Sequence, residues 1–244
     1  MPPNVVLIVV DTLRADHLSH YGYSRDTAKA LDGFRSESIL FTRAYSTAPW
    51  TGPSTISIHS GLSPARHGAN AHGDVLPEEA TTIAEYLSDA GYSTYGISYN
   101  YEVSRKTGYA QGFDVFNDFE HDVLDYPDIG FMVKRVARWA STKAEQPYFL
   151  YLQPMNTHGP YRVPPERQTQ LLGRSPSETF EYYGEPMKSI LREGALDRRA
   201  DVAPDMVESL VDQYDVAVHY SMEEIAAILE TLEAAGLLEE TLVV

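Results

Sequence analysis

Six apolar residues, Val5 to Val10, run straight into Asp11, and further along the chain Thr51 stands in Pro49-Trp50-Thr51-Gly52-Pro53-Ser54. A β-branched run without polar alternation reads as a strand buried on both faces, and an acid at its carboxyl end sits where open α/β sheets place their chemistry. A hydroxyl nucleophile beside a metal-held carboxylate is one way to attack a phosphorus or sulfur ester. Each residue also has a plainer reading, because Asp and Thr both cap helix N-termini and a helix is expected after each of them.

The elements that must position these groups alternate between strand and helix. Lys29 to Glu37 reads as a helix, Ile39 to Tyr45 as a short strand, and Pro53 to Ser60 as the opening of a helix that ends near Gly61. Ala80 to Ala90 places Ile83, Ala84, Leu87 and Ala90 at helical spacing, and Gly91 is a natural terminator. Tyr92 to Ser98 then reads as a strand, Ile129 to Ala140 as a helix and Tyr148 to Leu152 as another apolar strand. Between Val163 and Pro204 the pattern loosens, which reads first as a solvated irregular connection and second as a surface excursion able to cover a site. Pro204 to Ala235 restores a long amphipathic helix, with Val211, Tyr214, Val218, Ile225, Leu229 and Leu232 near one face, and Thr241 to Val244 begins a β-like run. The alternation predicts an α/β fold, with residues 1–244 as one domain and no internal repeat.

Composition narrows the function. At 244 residues the chain is long enough to bury a sizeable core. No apolar stretch approaches the ~20 residues of a membrane helix, and the first residues lack the basic and apolar pattern of a leader, so a cytoplasmic protein without a membrane span is expected. The absence of cysteine excludes disulfides, thiolate ligands and a cysteine nucleophile. A formal charge of -16 argues against a nucleic-acid partner, since backbone affinity depends on Lys and Arg, and an anionic substrate would need a local positive site. The basic residues are mostly Arg, which suits either a chain adapted to concentrated salt or an ordinary acidic protein.

Taken in order, Asn4 to Asp11, His20-Tyr-Gly-Tyr23, Leu31-Asp32, Phe41-Thr42-Arg-Ala-Tyr45, Thr51 through Ser60-Gly61-Leu62, and His67-Gly68 resemble the sulfatase branch of the alkaline phosphatase superfamily. Gly91-Tyr92-Ser-Thr94, Gly112-Phe113-Asp114 and Asn156-Thr-His158-Gly-Pro160-Tyr161 extend the resemblance. It implies an alkaline-phosphatase-like α/β fold with a central, mostly parallel sheet flanked by helices. It also implies a hydrolase or transferase acting on phosphate or sulfate esters of a small molecule, glycan or lipid. Asp11 matches the family acid that binds a divalent cation (calcium, magnesium, manganese or zinc), Thr51 falls at the nucleophile position and would also ligate the metal, and His158 matches the histidine that contacts a non-bridging or leaving oxygen. His67 matches a motif whose role is as well structural as catalytic.

The departures carry as much information as the matches. The family often has a second Asp after the first, and here Thr12 stands in its place. Sulfatases of the common type have Cys or Ser at the nucleophile, oxidised to formylglycine, with an Arg four residues on; here Thr51 and Thr55 occupy those positions, so no formylglycine is expected. Their Lys-x-His element is replaced by Tyr99, Asn100 and Tyr101, so Asn100 is the candidate substrate contact, with Lys106 as the alternative. Phosphate esters are therefore favoured over sulfate. The family's C-terminal Asp-His or Asp-Asn metal pair would follow Val244, so a truncated or non-catalytic binding relative is the alternative, and weak metal binding with little activity is expected of this chain alone.

Overall fold

In the computed structural model, residues 2–119, 127–142, 147–161, 163–173 and 204–244 are described. Two compact units are distinguished: one comprises Met1–Asp11, Ile39–Met155 and Ala227–Val244, the other Thr12–Ser38 and Asn156–Ala226. Each is assembled from separated chain segments, so neither leaves a linker in the sequence.

The first unit is built on a five-stranded sheet in the order β3-β2-β4-β1-β5. Its strands are β1 (Asn4–Ile8), β2 (Ser93–Ser98), β3 (Val115–Asn117), β4 (Tyr148–Gln153) and β5 (Thr241–Val243). Every pairing is parallel, with Val5 opposite Phe149 and Ser98 opposite Gln153. Parallel strands need crossover connections, which cover both faces and explain the unbroken apolar runs. Asn4 fixes the register at the start: its Oδ1 accepts from the Tyr148 N–H at 3.1 Å, and its Nδ2 donates to Thr241 Oγ1 at 3.3 Å.

Along β4 the side chains alternate between two buried environments. Phe149 and Tyr151 join Ile56, Leu76, Ala84, Val103, Tyr109 and Phe116 in one core. On the other face Trp139 stacks on Tyr95 at 5.5 Å and meets Tyr148 edge-on at 5.0 Å. Among the described residues the α-helices are α1 (Asp32–Arg35), α2 (Thr51–Ser60), α3 (Pro64–His67), α4 (Ile83–Asp89), α5 (Ile129–Thr142), α6 (Pro165–Leu172) and α7 (Pro204–Ala234). Helix α4 starts at a reciprocal cap, with the Glu85 N–H donating to Thr82 Oγ1 and the Thr82 N–H to Glu85 Oε2. Gly112 packs against this turn at φ +82°, where an added Cβ would lie 2.3 Å from Glu85 N, so no larger residue fits.

Most predicted elements form within a few residues of their expected bounds. The strand predicted for Ile39 to Tyr45 does not: this segment is irregular, and Ile39, Phe41 and Tyr45 are exposed. β-propensity alone makes no strand without a neighbour for its backbone. Helix α6 appears at the start of the stretch expected to be irregular, while residues 174–203 of that stretch lie outside the described residues. Strand β3 and helix α3 are too short for periodicity to reveal. No helix among the described residues is long and apolar enough to cross a membrane.

The second unit holds a buried ionic cluster on α7. Arg25 bridges Asp212 at 2.7 Å and Asp215 at 2.6 Å. Asp215 also accepts from His17 Nδ1–H and from the Tyr23 hydroxyl, each at 2.6 Å. Burial first, then this bond to Asp215, pushes the Tyr23 hydroxyl pKa up to about 12.

One buried group of the first unit makes stability pH-dependent. The His59 ring is enclosed edge-on by Tyr109 and Tyr151, its Nε2 has no hydrogen-bond partner, and burial pushes its pKa down to about 3 from 6.5. The unfolded chain therefore binds a proton here that the folded chain does not between those two values, so stability falls as pH drops through that window. The loss is on the order of 5 kcal/mol at its acid end. His59→Phe is expected to remove this part of the acid sensitivity, checked by comparing denaturant midpoints of both proteins at about pH 4 and about pH 7.5.

Candidate active site

The carboxyl ends of β1, β4 and β2 lie side by side because β4 is paired between the other two. Asp11 follows β1, is buried, and donates its N–H to the Pro154 carbonyl just after β4 at 3.3 Å. Its Oδ2 accepts from Asn100 Nδ2 at 2.6 Å, Gln153 Nε2 at 3.3 Å and Thr51 Oγ1 at 3.3 Å. Asn100 comes from the turn after β2, Gln153 ends β4, and Thr51 opens α2. Three separated chain segments thus deliver three neutral donors to one carboxylate oxygen.

The capping readings do not hold. The residue capping α2 is Trp50, and Thr51 sits at the first helical position with its hydroxyl turned to Asp11. The first helical turn after Asp11, Ala15–His17, is preceded by Arg14 and has no side-chain cap. Asp16 pairs with Arg14 at 2.6 Å on the surface. Thr12, in place of a second carboxylate, takes a left-handed φ of 54° and donates its hydroxyl to the Thr157 carbonyl at 2.6 Å. A β-branched residue in this conformation is strained, and the strain falls directly after the site acid.

The donors of Asp11 are themselves held. Asn100 Oδ1 accepts from the Glu102 N–H at 2.8 Å, and Gln153 Oε1 accepts from the Tyr151 hydroxyl. Asn100, expected to contact substrate, is buried and directs its amide N–H groups to Asp11 and to Met155 Sδ at 3.2 Å. His67 is buried and internally committed: its Nδ1 accepts from the Ala69 N–H at 3.2 Å and its Nε2–H faces Ser57 Oγ at 3.3 Å, while Ser57 donates to the Pro53 carbonyl. This ties the opening turn of α2 to α3 and makes His67 structural. His158 belongs to the second unit, where its Nδ1–H donates to the Gly159 carbonyl at 2.7 Å.

The sequence reading brought out Asp11, Thr51 and Asn100, and the fold brings these three together. It missed Gln153, although a polar residue ending an apolar strand at the sheet's carboxyl edge is a usable signal. For a divalent cation, the Asp11 carboxylate and Thr51 hydroxyl supply two hard oxygens. Among the described residues no three His, Asp or Glu gather into a metal-binding group. Calcium takes ~6–8 ligands and catalytic zinc about three from protein, so these residues fit one side of a coordination shell.

The acid, the amides and the hydroxyl converge at the carboxyl edge of the parallel sheet, where open α/β folds place their sites. The chain belongs to the sulfatase family, whose model matches residues 3–244. It is 34% identical over 100 residues to an arylsulfatase of Hemicentrotus pulcherrimus, a stretch covering 38% of this chain and 18% of that protein. Its fold matches the phosphonate monoester hydrolase of Agrobacterium radiobacter with a TM-score of 0.75 at 18% identity, covering 99% of this chain and 61% of that one. A zinc complex of the C-terminal periplasmic domain of EcEptC from Escherichia coli matches with a TM-score of 0.66 at 16% identity, covering 97% of this chain and 61% of that one. This chain therefore spans about three-fifths of these two solved structures, a likeness that shows an alkaline-phosphatase-like fold.

Asn100→Ala leaves the Asp11 oxygen and the Glu102 N–H short of a buried partner each. It is expected to cost about 1–3 kcal/mol of stability, checked by urea unfolding against the wild type.

Proposed function

We propose that this chain carries the nucleophile and one metal-binding carboxylate of a sulfatase-family esterase that prefers phosphate or phosphonate esters of small molecules to sulfate esters. The observation that carries the reading is the Thr51 hydroxyl at the first position of α2, hydrogen-bonded to the buried Asp11 carboxylate. As the Thr51 Oγ–phosphorus bond forms and the ester oxygen–phosphorus bond breaks, the hydroxyl proton has a path along its existing bond to Asp11. The first-turn N–H groups of Thr51 and Gly52 have no carbonyl to meet within the helix and favour negative charge nearby; Pro53 contributes none. Asn100 and Gln153 hold the carboxylate in place. A divalent cation held by Asp11 and Thr51 would supply charge that favours the ionised hydroxyl. The departing oxygen needs a proton, for which the imidazole of His158 is the candidate on its chemistry. Water or an acceptor alcohol then releases the group from Thr51.

Two features support the phosphorus preference. A secondary alcohol at position 51 has no route to formylglycine, and a phosphonate monoester hydrolase is among the structures this fold matches. The small number of metal ligands gathered among the described residues supports a second reading, a chain that binds without turnover.

Thr51→Ala is expected to reduce esterase activity to background while costing no more than ~1 kcal/mol of stability, with Thr51→Ser retaining part of it. Wild-type rates in the alanine variant would exclude Thr51 as nucleophile. With matched aryl leaving groups and one metal, phosphodiester or phosphonate turnover should exceed sulfate turnover, and a clear preference for aryl sulfate would reverse the assignment. Stoichiometric metal binding without turnover of any of these esters would favour the non-catalytic reading.

A further inference from the structure

Two side chains of the first unit, Trp50 and Glu102, hold an exposed imidazole, and Trp50 is the residue before Thr51 in the chain. The ring of His72 lies against the indole of Trp50, the residue preceding Thr51, with centroids 4.3 Å apart. Its Nδ1–H donates to Glu102 Oε1 at 2.8 Å. The Glu102 side chain is 10% exposed and also accepts from the Tyr101 hydroxyl at 3.2 Å, whereas the His72 side chain is 79% exposed. The Glu102 N–H in turn donates to Asn100 Oδ1, and Asn100 holds Asp11. One short segment, residues 100–102, therefore orients both the site carboxylate and this imidazole.

We propose that His72 is a substrate-binding residue, presenting Nε2–H to a non-bridging oxygen of a phosphate or phosphonate ester at Thr51, with Glu102 as its positioning residue. This rests on the reading that Thr51 is the reacting hydroxyl. A carboxylate bonded to Nδ1 fixes the ring's orientation and directs the other nitrogen away from that bond. The indole of Trp50 packs against the ring and restrains it laterally. Ordering an exposed side chain costs entropy, and two partners here offset that cost for a ring that gains little from burial. The chemistry answers a need of the chain: at -16 net charge an anion requires a local donor.

The chain has two tryptophans, and Trp139 is buried, so a Trp139→Phe background makes fluorescence report Trp50 alone. Titration with inorganic phosphate and with phenyl phosphate is expected to give a saturable change in Trp50 emission. His72→Asn should weaken both affinities roughly tenfold or more without changing the denaturant midpoint, His72→Arg should recover part of the loss, and Glu102→Gln should weaken binding less. In turnover, His72→Asn should raise KM more than it lowers kcat. Unchanged affinity in His72→Asn, or no saturable response in the parent, overturns the proposal. The two readings separate cleanly: full activity in Thr51→Ala with His72-dependent phosphate binding defeats the nucleophile assignment and leaves this site standing, and the reverse pattern does the opposite.

Discussion

A single buried carboxylate oxygen, Oδ2 of Asp11, collects hydrogen bonds from Asn100, Gln153 and Thr51, and the architecture around it follows from the need to satisfy it. Burying a charge without partners costs far more than one hydrogen bond returns, so its donors must be in place whenever the chain is folded. They come from after β2, from the end of β4 and from the start of α2. Only a parallel arrangement with β4 between β1 and β2 brings those three ends to one edge. All three of these donors are neutral.

The surroundings of that oxygen combine rigidity with stored strain. Gln153 is held by Tyr151 and Asn100 by Glu102, both from the backbone or core of the same unit. The network of His67, Ser57 and Pro53 secures the turn from which Thr51 projects. Thr12 holds a left-handed conformation that costs a β-branched residue on the order of 1–3 kcal/mol, partly offset by its bond to the Thr157 carbonyl. The chain thus bends sharply right after the site acid.

The second unit shows how motif residues can be structural. His20 donates to Asp32 at 2.8 Å, and His17, Tyr23 and Arg25 converge on Asp215. His20, Tyr23 and Asp32 belong to the segments that carried the family resemblance, and their observed work is to anchor the irregular chain of residues 12–38. Arg25 joins the two buried aspartates into one network, in which it is the cation shared by both carboxylates.

The sequence by itself determined the class of fold, most strand and helix positions, the family, and the identity of Asp11, Thr51 and Asn100 as residues of interest, because hydrophobic period, terminators and motif spacing are local properties. Tertiary structure decided what each of them does. That Thr51 bonds Asp11 rather than capping α2, that Asn100 turns inward to Asp11, that His67 is fully committed, and that Ile39 to Tyr45 finds no partner strand all depend on which distant segment lies alongside. Gln153, Glu102 and His72 entered the same way. Hydrogen bonds between residues 30 to 142 positions apart are set by the order in which strands pair, and strand order is not written in any local pattern.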